Sequence, residues 1–409
     1  MATLQPFRAM RPTPSTAARI AAVPYDVVSV DQARALAADN PLSFLRVSRA
    51  ELELPPGTDP YSAAVYHRAA QNFDKLKASS LVIEDEPSVY FYRLRMGSHE
   101  QTGIAACCSL DEYDRGIIKK HERTRRDKED DRTRHMMELG AQTGPVFLAY
   151  RASDEVGLIA GRVVKGEPLF DFEAPDGVRH TLWRVGGADR DALVAAFARI
   201  ATLYIADGHH RAASAARARD EIREGGSRRA LLADGADSST FLAVAFPHDQ
   251  VQILPYNRIV TDLGGLAPEA FLEAVRERFE LAAGPAVPAQ RGEIAMYVQG
   301  RWHTLRPRAV PGKSGSVSLD VSILQDQLLA PVLKVVDQST DKRIDFVGGV
   351  RGTGELENLV DSGKAAVAFS LYPVSIADLM AVSDAGGIMP PKSTWFEPKL
   401  RDGLLIHVI

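Results

Sequence analysis

The run Leu203-Tyr204-Ile205-Ala206-Asp207-Gly208-His209-His210-Arg211 joins four apolar residues to a polar cluster, and an alanine-rich segment at residues 212–216 follows it. The apolar residues predict a buried strand and the alanines predict a helix. The polar residues therefore fall at a strand-to-helix turn, where backbone N–H groups and the positive end of the helix dipole attract anions. Gly208 permits a tight turn and a close approach of backbone to ligand. Such a turn is suited to phosphate.

This turn also has a structural interpretation, in which the two histidines cap the helix and Asp207 ties down the turn. A metal site is less well supported, because adjacent histidines usually point in different directions and no third ligand stands at the one-turn spacing of the HExxH type. The five consecutive residues Asp207–Arg211 have side chains that contribute little to a hydrophobic core, and this favours a functional site. We therefore predict Asp207, His209 and His210 as catalytic residues, Gly208 and Arg211 as phosphate-binding residues, and no metal ligands.

Composition limits the class of protein. The chain has 409 residues, of which 45% are hydrophobic, and its 49 basic and 53 acidic residues give a net charge of −4. This balance does not suggest a nucleic-acid-binding protein, and no apolar run approaches membrane-spanning length. Cys107 and Cys108 are neighbours in a strand-like run, where side chains face opposite ways, which disfavours a disulfide between them. With no signal peptide in Met1–Phe7, we expect a soluble, cytoplasmic protein.

Strand and helix patterns mix along the chain without strict alternation, which predicts an α+β fold with mixed sheets. Strands are predicted at residues 89–96, 103–110, 146–150, 180–185, 203–206, 240–246, 251–259, 294–298, 302–305 and 365–371. Helices are predicted at residues 31–38, 60–77, 190–200, 271–279, 322–333 and 376–382. Three regions follow, at 1–150, 151–260 and 261–409, although the same pattern fits one intertwined domain.

A second charged segment begins at Lys119-Lys120-His121-Glu122-Arg123-Thr124, directly after a strand-like run. From Thr124 onward the pattern predicts a helix, with Thr124 as its N-cap and Asp127 in a capping-box position. We interpret the charges from Arg125 to Glu129 as a solvated helix face.

We interpret the residues that precede this helix, Lys119–Thr124, differently. Lysines at the end of a strand can neutralise phosphate oxygens, and a neighbouring carboxylate can act as a general base. We predict Glu122 as a catalytic residue, with the phosphate-binding positions at Lys119, Lys120, His121 and Thr124. The alternative is an ordinary charged helix start.

Two further motifs are less informative. Gly312-Lys313-Ser314-Gly315 has part of a phosphate-binding loop pattern, but the upstream glycine is missing and no apolar strand precedes it, so a plain loop is predicted. The aperiodic segment Met389–Phe396 holds two prolines, a lysine, two hydroxyls and two aromatic residues. It fits either a loop that covers a site with its lysine pointing inward, or a hydrophobic plug near the C-terminus.

Several of these motifs occur together in an order that resembles the bacterial and archaeal family called domain of unknown function 1015 (DUF1015). The resemblance spans nearly the whole chain and rests on residues 24–27, 120–124, 131–132, 206–211 and 389–394. The Asp-Gly-His-His-Arg element is similar to that of the free-serine kinases, which have the fold shared by the ParB N-terminal domain and sulfiredoxin. This second similarity covers only a few residues.

The kinase resemblance implies a ParB/sulfiredoxin-like nucleotide-binding core with additional α+β elaborations. It implies that Gly208 to Arg211 hold nucleotide phosphates, that Asp207 is needed for phosphoryl transfer, and that the cofactor is Mg²⁺ with ATP or ADP. Sulfiredoxin chemistry needs a cysteine in this turn, where the sequence has histidines. DNA clamping of the ParB type needs a helix-turn-helix domain and a basic patch, and the sequence suggests neither.

We therefore expect a small-molecule kinase that transfers phosphate from ATP or ADP to a hydroxyl, and free L-serine is our first candidate for the acceptor. The alternatives are a phosphohydrolase at the same site and a nucleotide-binding regulatory protein without turnover. The expected partners are a small-molecule substrate and a nucleotide, with no nucleic acid and no membrane, and the oligomeric state is open. One shared site requires His121 and Glu122 to face the cleft of His209 and His210. If a histidine carries charge there, anion binding should weaken above its usual pKa of about 6.5.

Overall fold

The computed structural model describes residues 1–225, 237–308 and 319–409, so the segment Gly312–Gly315 lies outside the described residues. The chain divides into two compact units, Met1–Val251 with Pro398–Ile409 and Gln252–Glu397. This division differs from the three regions expected from the sequence. Strands from residues 1–150 and 151–260 lie side by side in one sheet, and hydrogen bonding within that sheet joins the first two regions.

The strands are labelled in chain order. They are β1 (Leu4–Gln5), β2 (Met10–Pro12), β3 (Leu81–Ile83), β4 (Val89–Met96), β5 (His99–Ser109), β6 (Ile118–Lys119), β7 (Ala141–Gln142), β8 (Val146–Tyr150), β9 (Phe170–Glu173), β10 (Arg179–Val185), β11 (Leu203–Asp207), β12 (Thr240–Pro247), β13 (Gln252–Leu254), β14 (Tyr256–Val260), β15 (Phe279–Ala283), β16 (Ile294–Val298), β17 (Arg301–Pro307), β18 (Ile344–Gly348), β19 (Val367–Leu371), β20 (Trp395–Glu397) and β21 (His407–Val408).

The helices are labelled in the same way. They are α1 (Ala17–Ile20), α2 (Val30–Ala37), α3 (Leu45–Ser48), α4 (Ala63–Ser79), α5 (Leu110–Asp114), α6 (Arg126–Leu139), α7 (Asp154–Val163), α8 (Gly187–Phe197), α9 (His209–Arg223), α10 (Pro268–Arg276), α11 (Asp320–Leu324), α12 (Gly352–Asp361) and α13 (Ile376–Asp384). Among the described residues, none of these helices combines the length and the apolar composition needed to cross a membrane.

The first unit is built on a nine-stranded mixed sheet, in which the order β6-β11-β8-β12-β5-β4-β10-β9 is extended by β1 beside β5. Most neighbours are antiparallel, but β6 runs parallel to β11 and β8 runs parallel to β12. The predicted α+β class with mixed sheets is therefore confirmed. Both cysteines lie buried in β5 as free thiols.

Helix α9 packs in the core of this unit through its small side chains. Ala212, Ala215 and Ala218 are buried, and the absence of bulk lets α6 approach closely. Thr133 on α6 donates to the carbonyl of Ser214, while the Ser214 hydroxyl donates back to the carbonyl of Glu129. The alanine-rich segment predicted from the sequence is thus a buried helix packed against the charged one.

Several predicted element boundaries are wrong. The strand expected at residues 251–259 is interrupted at Pro255, which cannot donate a backbone hydrogen bond, and forms β13 and β14. The helix expected to reach Phe279 ends at Arg276, and Phe279 instead begins β15. The helix expected at residues 322–333 is α11 followed by a π-helical turn, Gln325–Leu329.

The second unit has a six-stranded antiparallel sheet of order β15-β17-β16-β19-β14-β18, with β13 and β20 paired separately. The Trp395 ring packs edge-on against Tyr256, with ring centroids 5.0 Å apart. A Cβ on Gly348 would lie 2.7 Å from that indole, so the absence of a side chain permits the contact. Within this unit, Trp395 of the Met389–Phe396 segment therefore packs against Tyr256 and Gly348.

The turn at Gly208 generates a prediction about stability. Gly208 has φ +93° and directly precedes α9, so an alanine there would adopt a left-handed conformation. We expect Gly208→Ala to lower the free energy of unfolding by roughly 1–2 kcal/mol. The control is Gly157→Ala in α7, where nothing lies near the added Cβ and where we expect stabilisation of about 0.5–1 kcal/mol. Urea denaturation measures both, and equal effects would contradict the requirement for a left-handed turn.

Candidate active site

The short strand β6 determines where the site forms. Ile118 pairs with Leu203 and Lys119 pairs with Tyr204, in parallel register. Parallel neighbours end at the same edge of a sheet, so the residues that follow β6 meet the residues that follow β11. The two polar segments, some eighty residues apart in sequence, are thereby brought into contact. The requirement that the two segments lie together is met in the structure.

His121 and His209 form the centre of this contact. Their ring centroids lie 4.5 Å apart with an interplanar angle of 85°, and the backbone N–H of His121 lies 3.4 Å from Nε2 of His209. Burial lowers the pKa of His121 to about 4, and burial together with His121 holds the pKa of His209 well below its usual value. Both imidazoles are therefore neutral at pH 7. The expected loss of a histidine charge near pH 6.5 does not apply to either ring.

Glu122 completes a group of three side chains that can coordinate a metal ion. One ligand atom from each of His121, Glu122 and His209 lies within 4.8 Å of the other two. The two histidines are buried and the glutamate is half-buried. The prediction of no metal ligands considered only residues near the histidine pair in sequence. The structure adds His121 and Glu122, from the segment after β6, to the groups that lie within reach of His209.

His210 and the start of α6 lie beside this group. The backbone N–H of Arg125 donates to Nε2 of His210 at 3.0 Å. Helix α6 begins at Arg126 with Arg125 as its N-cap and without a side-chain cap, so the prediction of Thr124 as the N-cap is wrong. Asp127 pairs with Arg125 instead of forming a capping box. Thr124 lies next to the Arg125 backbone that contacts His210.

Arg211 points into the fold. Its guanidinium donates to the carbonyl of Pro145 at 2.9 Å and lies 3.6 Å from an Asp26 carboxylate oxygen and 3.9 Å from one of Asp402. The guanidinium also lies near the ring of Tyr25, 5.9 Å from its centroid. Only 11% of the Arg211 side chain is exposed. The geometry differs from the predicted phosphate clamp, because neighbouring carboxylates already compensate this charge.

Buried charges near Arg211 have shifted pKa values. Burial raises the pKa of Asp402 to about 6, although Arg211 acts in the opposite direction. Burial also acts to lower the pKa of Arg211, but Asp402 and Asp26 outweigh it and raise that pKa above its ordinary value. The guanidinium therefore stays charged at any pH at which the protein folds.

Asp207 and the two lysines occupy the edge of the site. Asp207 ends β11, is partly exposed, and accepts a hydrogen bond from the Lys399 ammonium at 2.9 Å. Lys119 is half-buried in β6. The Lys120 ammonium lies 3.7 Å from the centroid of the Tyr113 ring, and burial lowers its pKa. One of the two lysines predicted to bind phosphate, Lys120, therefore makes a cation–π contact with Tyr113.

The sequence prediction missed Lys399 and Asp402. Both come from the C-terminal segment Pro398–Ile409, which belongs to the first unit. The sequence did contain an indication of their importance, because three charged residues lie within an apolar segment. The charged residues are Lys399, Arg401 and Asp402, and the apolar residues are Leu400, Leu404, Leu405 and Ile406. Charged residues within an apolar segment are expected to be buried and paired. Their partners could not be found from the sequence.

Residues 4–329 match the model of the family described as "Protein of unknown function (DUF1015)". None of the curated proteins matches the sequence. Among solved structures, the chain is similar to a free serine kinase in complex with AMP, at 15% identity and a TM-score of 0.37, covering 74% of this chain and 92% of that one.

Two other solved structures are similar to this chain. A conserved hypothetical protein from Pyrococcus furiosus has 14% identity and a TM-score of 0.37, with 75% of this chain and 95% of that chain covered. SbnI with a C-terminal truncation, from Staphylococcus aureus, has 12% identity and a TM-score of 0.39, with 74% and 87% covered.

The buried position of Arg211 generates a prediction. We expect Arg211→Ala to lower the free energy of unfolding by about 3 kcal/mol, because it leaves the Asp402 carboxylate buried and unpaired. The loss should be smaller at pH 5 than at pH 8. Asp402 has a raised pKa, so the folded state favours the protonated form of this carboxyl. The stability that the protonated form contributes is lost as the pH rises through about 6. Without Arg211 the carboxyl would stay protonated to higher pH.

The matched control for this variant is Arg217→Ala, on the same helix. Arg217 pairs with Glu129 and Asp130 at a more exposed position, so its removal should cost less than about 1 kcal/mol. Urea denaturation of both variants at pH 5 and pH 8 provides the measurement. Equal, pH-independent losses would show that Arg211 is not a buried structural charge.

Proposed function

This chain belongs to the DUF1015 family, and we propose that it is a small-molecule kinase that transfers phosphate from ATP or ADP to a hydroxyl, with free L-serine as the leading acceptor. The observation that carries the proposal is the parallel pairing of β6 with β11. This pairing gathers the Lys119–Glu122 segment at the start of α9. Two carboxylates, two neutral imidazoles and the Lys120 ammonium then lie near the start of α9, which is a favourable environment for phosphoryl transfer.

The start of α9 would hold the nucleotide phosphates. The helix has 15 residues, its N-cap is Gly208 in a left-handed conformation, and no side chain caps it. Backbone N–H groups of the first turn, from His209 to Arg211, can therefore face an anion, and the helix dipole favours negative charge there. In this proposal Arg211 holds the turn in place, while the backbone makes the phosphate contacts.

Two carboxylates are available for acid–base chemistry. Asp207 or Glu122 would accept the proton from the acceptor hydroxyl, and Lys119 would offset the charge on the transferred phosphoryl group. His210, Lys120 and Thr124 border this site. Mg²⁺ brought with the nucleotide would be held by phosphate oxygens and by Asp207 or Glu122, and would neutralise phosphate charge. The ParB/sulfiredoxin-like core is part of the same proposal and is supported by the Asp-Gly-His-His-Arg element at the start of α9.

Two alternatives use the same site. A phosphohydrolase would pass the phosphate to water, and a regulatory protein would bind nucleotide without turnover. Incubation of the purified protein with L-serine and either ADP or ATP distinguishes them by ³¹P NMR. O-phosphoserine supports the kinase, inorganic phosphate supports the hydrolase, and nucleotide binding without product supports the regulator.

The kinase proposal predicts the effect of a substitution at Asp207. Asp207→Asn keeps the size and the contact with Lys399 but removes the charge. We expect at least about a hundredfold loss of phosphoserine formation with nucleotide binding retained. The control is Asp220→Asn on α9, roughly 16 Å along the helix axis from His209 at 1.5 Å per residue, which should leave the rate unchanged. Wild-type turnover in Asp207→Asn would remove this carboxylate from the mechanism.

A second prediction requires no substrate. Phosphate, pyrophosphate and ADP at millimolar concentration should each raise the melting temperature, because they bind the folded state at the start of α9. Since His121 and His209 are neutral, no loss of charge on these two rings should weaken the shift between pH 6 and pH 8. Differential scanning fluorimetry measures this. A lack of any shift with all three anions would contradict a phosphate site.

A further inference from the structure

We propose that His121, Glu122 and His209 bind a divalent transition-metal ion, for which Zn²⁺ is the test probe. The proposal stands on these three side chains alone and does not depend on phosphoryl transfer. Two imidazoles and one carboxylate are a donor set used by catalytic zinc sites and by other first-row metal sites. Mg²⁺ prefers oxygen ligands, so this donor set is distinct from one for a nucleotide-bound Mg²⁺.

The distances fit a site that closes on a metal. One ligand atom from each side chain lies within 4.8 Å of the others. Zinc bonds of about 2.1 Å in tetrahedral geometry place ligand atoms about 3.4 Å apart. Side-chain rotations that move each ligand atom by roughly an ångström would therefore bring the three atoms to bonding distance from one metal ion, with β6 and α9 left in place. Three protein ligands leave a fourth position for water or a phosphate oxygen.

The surroundings of His121 support this role. His121 makes a hydrogen bond with the backbone carbonyl of Ile205 in the adjacent strand β11. Histidines that bind metal commonly donate their second ring nitrogen to a carbonyl in this way, which fixes the ring orientation. His209 is held at the first position of α9 and is buried. The two rings are thus fixed by secondary structure, and Glu122 is the more exposed member that closes the site.

The nearby charges also bear on metal binding. Asp207 lies close enough to act electrostatically on both His121 and His209, while Lys120 acts on His209 with the opposite sign. With Glu122 included, two carboxylates lie near the neutral rings, and the ammoniums of Lys120 and Lys399 offset their charge. The case for a cation therefore rests on the ligand set and not on the net charge. A metal bound here would take Glu122 as a ligand and leave Asp207 as the carboxylate for acid–base chemistry.

The test measures metal binding to the full-length protein without nucleotide. Protein treated with EDTA is dialysed against Zn²⁺, and the bound metal is quantified by mass spectrometry. We expect one equivalent in the wild type and an affinity at least about tenfold weaker in Glu122→Gln. The control is Glu138→Gln, a half-buried glutamate on α6 outside this group, which should bind like the wild type. Circular dichroism checks that each variant is folded.

A spectroscopic measurement provides a second test with the same two glutamate variants and leaves the buried histidines intact. Co²⁺ added to the wild type should give intense visible bands of a low-coordinate site, and these bands should weaken or shift in Glu122→Gln but not in Glu138→Gln. Failure of the wild type to bind Zn²⁺ or Co²⁺, or equal binding by Glu122→Gln, would overturn the proposal. Because no nucleotide is present in these measurements, that result would not contradict the kinase proposal, which is tested separately by phosphoserine formation.

Discussion

The parallel pairing of β6 with β11 is the interaction on which the site depends. It consists of only two residue pairs, Ile118 with Leu203 and Lys119 with Tyr204, at the edge of the nine-stranded sheet. The two strands run in the same direction, and β11 continues to Asp207 beyond the last pair. The segment that follows β6 therefore runs toward the same edge of the sheet as the end of β11. The left-handed turn at Gly208 then starts α9 directly beside His121. Without this pairing, the two polar segments would have no reason to meet.

The five residues from Asp207 to Arg211 serve two different physical purposes. His209 faces His121 and Glu122, where ligand chemistry is available. Arg211 turns the other way and connects α9 to Asp26, Pro145 and Asp402. A buried guanidinium needs such partners, because an unpaired charge in the interior is strongly destabilising. The same short motif thus contributes to the site and fixes the helix start that forms it.

Positive charge at the site comes from the lysines and the helix dipole, since burial keeps the two central imidazoles neutral. Neutral rings can accept hydrogen bonds or coordinate a metal, whereas imidazolium can do neither. This distinguishes the site from a simple cluster of cations around phosphate. Lys399 adds its charge from the C-terminal segment and holds the Asp207 carboxylate at the edge of the site.

The sequence by itself determined the strand before Asp207, the helix after it, the strands β4 and β5, and the residue types at the site, because these depend on local periodicity and on glycine. It misplaced the start of α6 and the ends of α10 and α11, where several positions satisfy the same local pattern. Only the tertiary structure decided that His121 and Glu122 complete a set of ligands with His209, and that Arg211 pairs with Asp402. Those contacts join residues that are 88 and 191 positions apart in the sequence. They are selected by strand register and by the burial of charge, and no local sequence pattern encodes either of these.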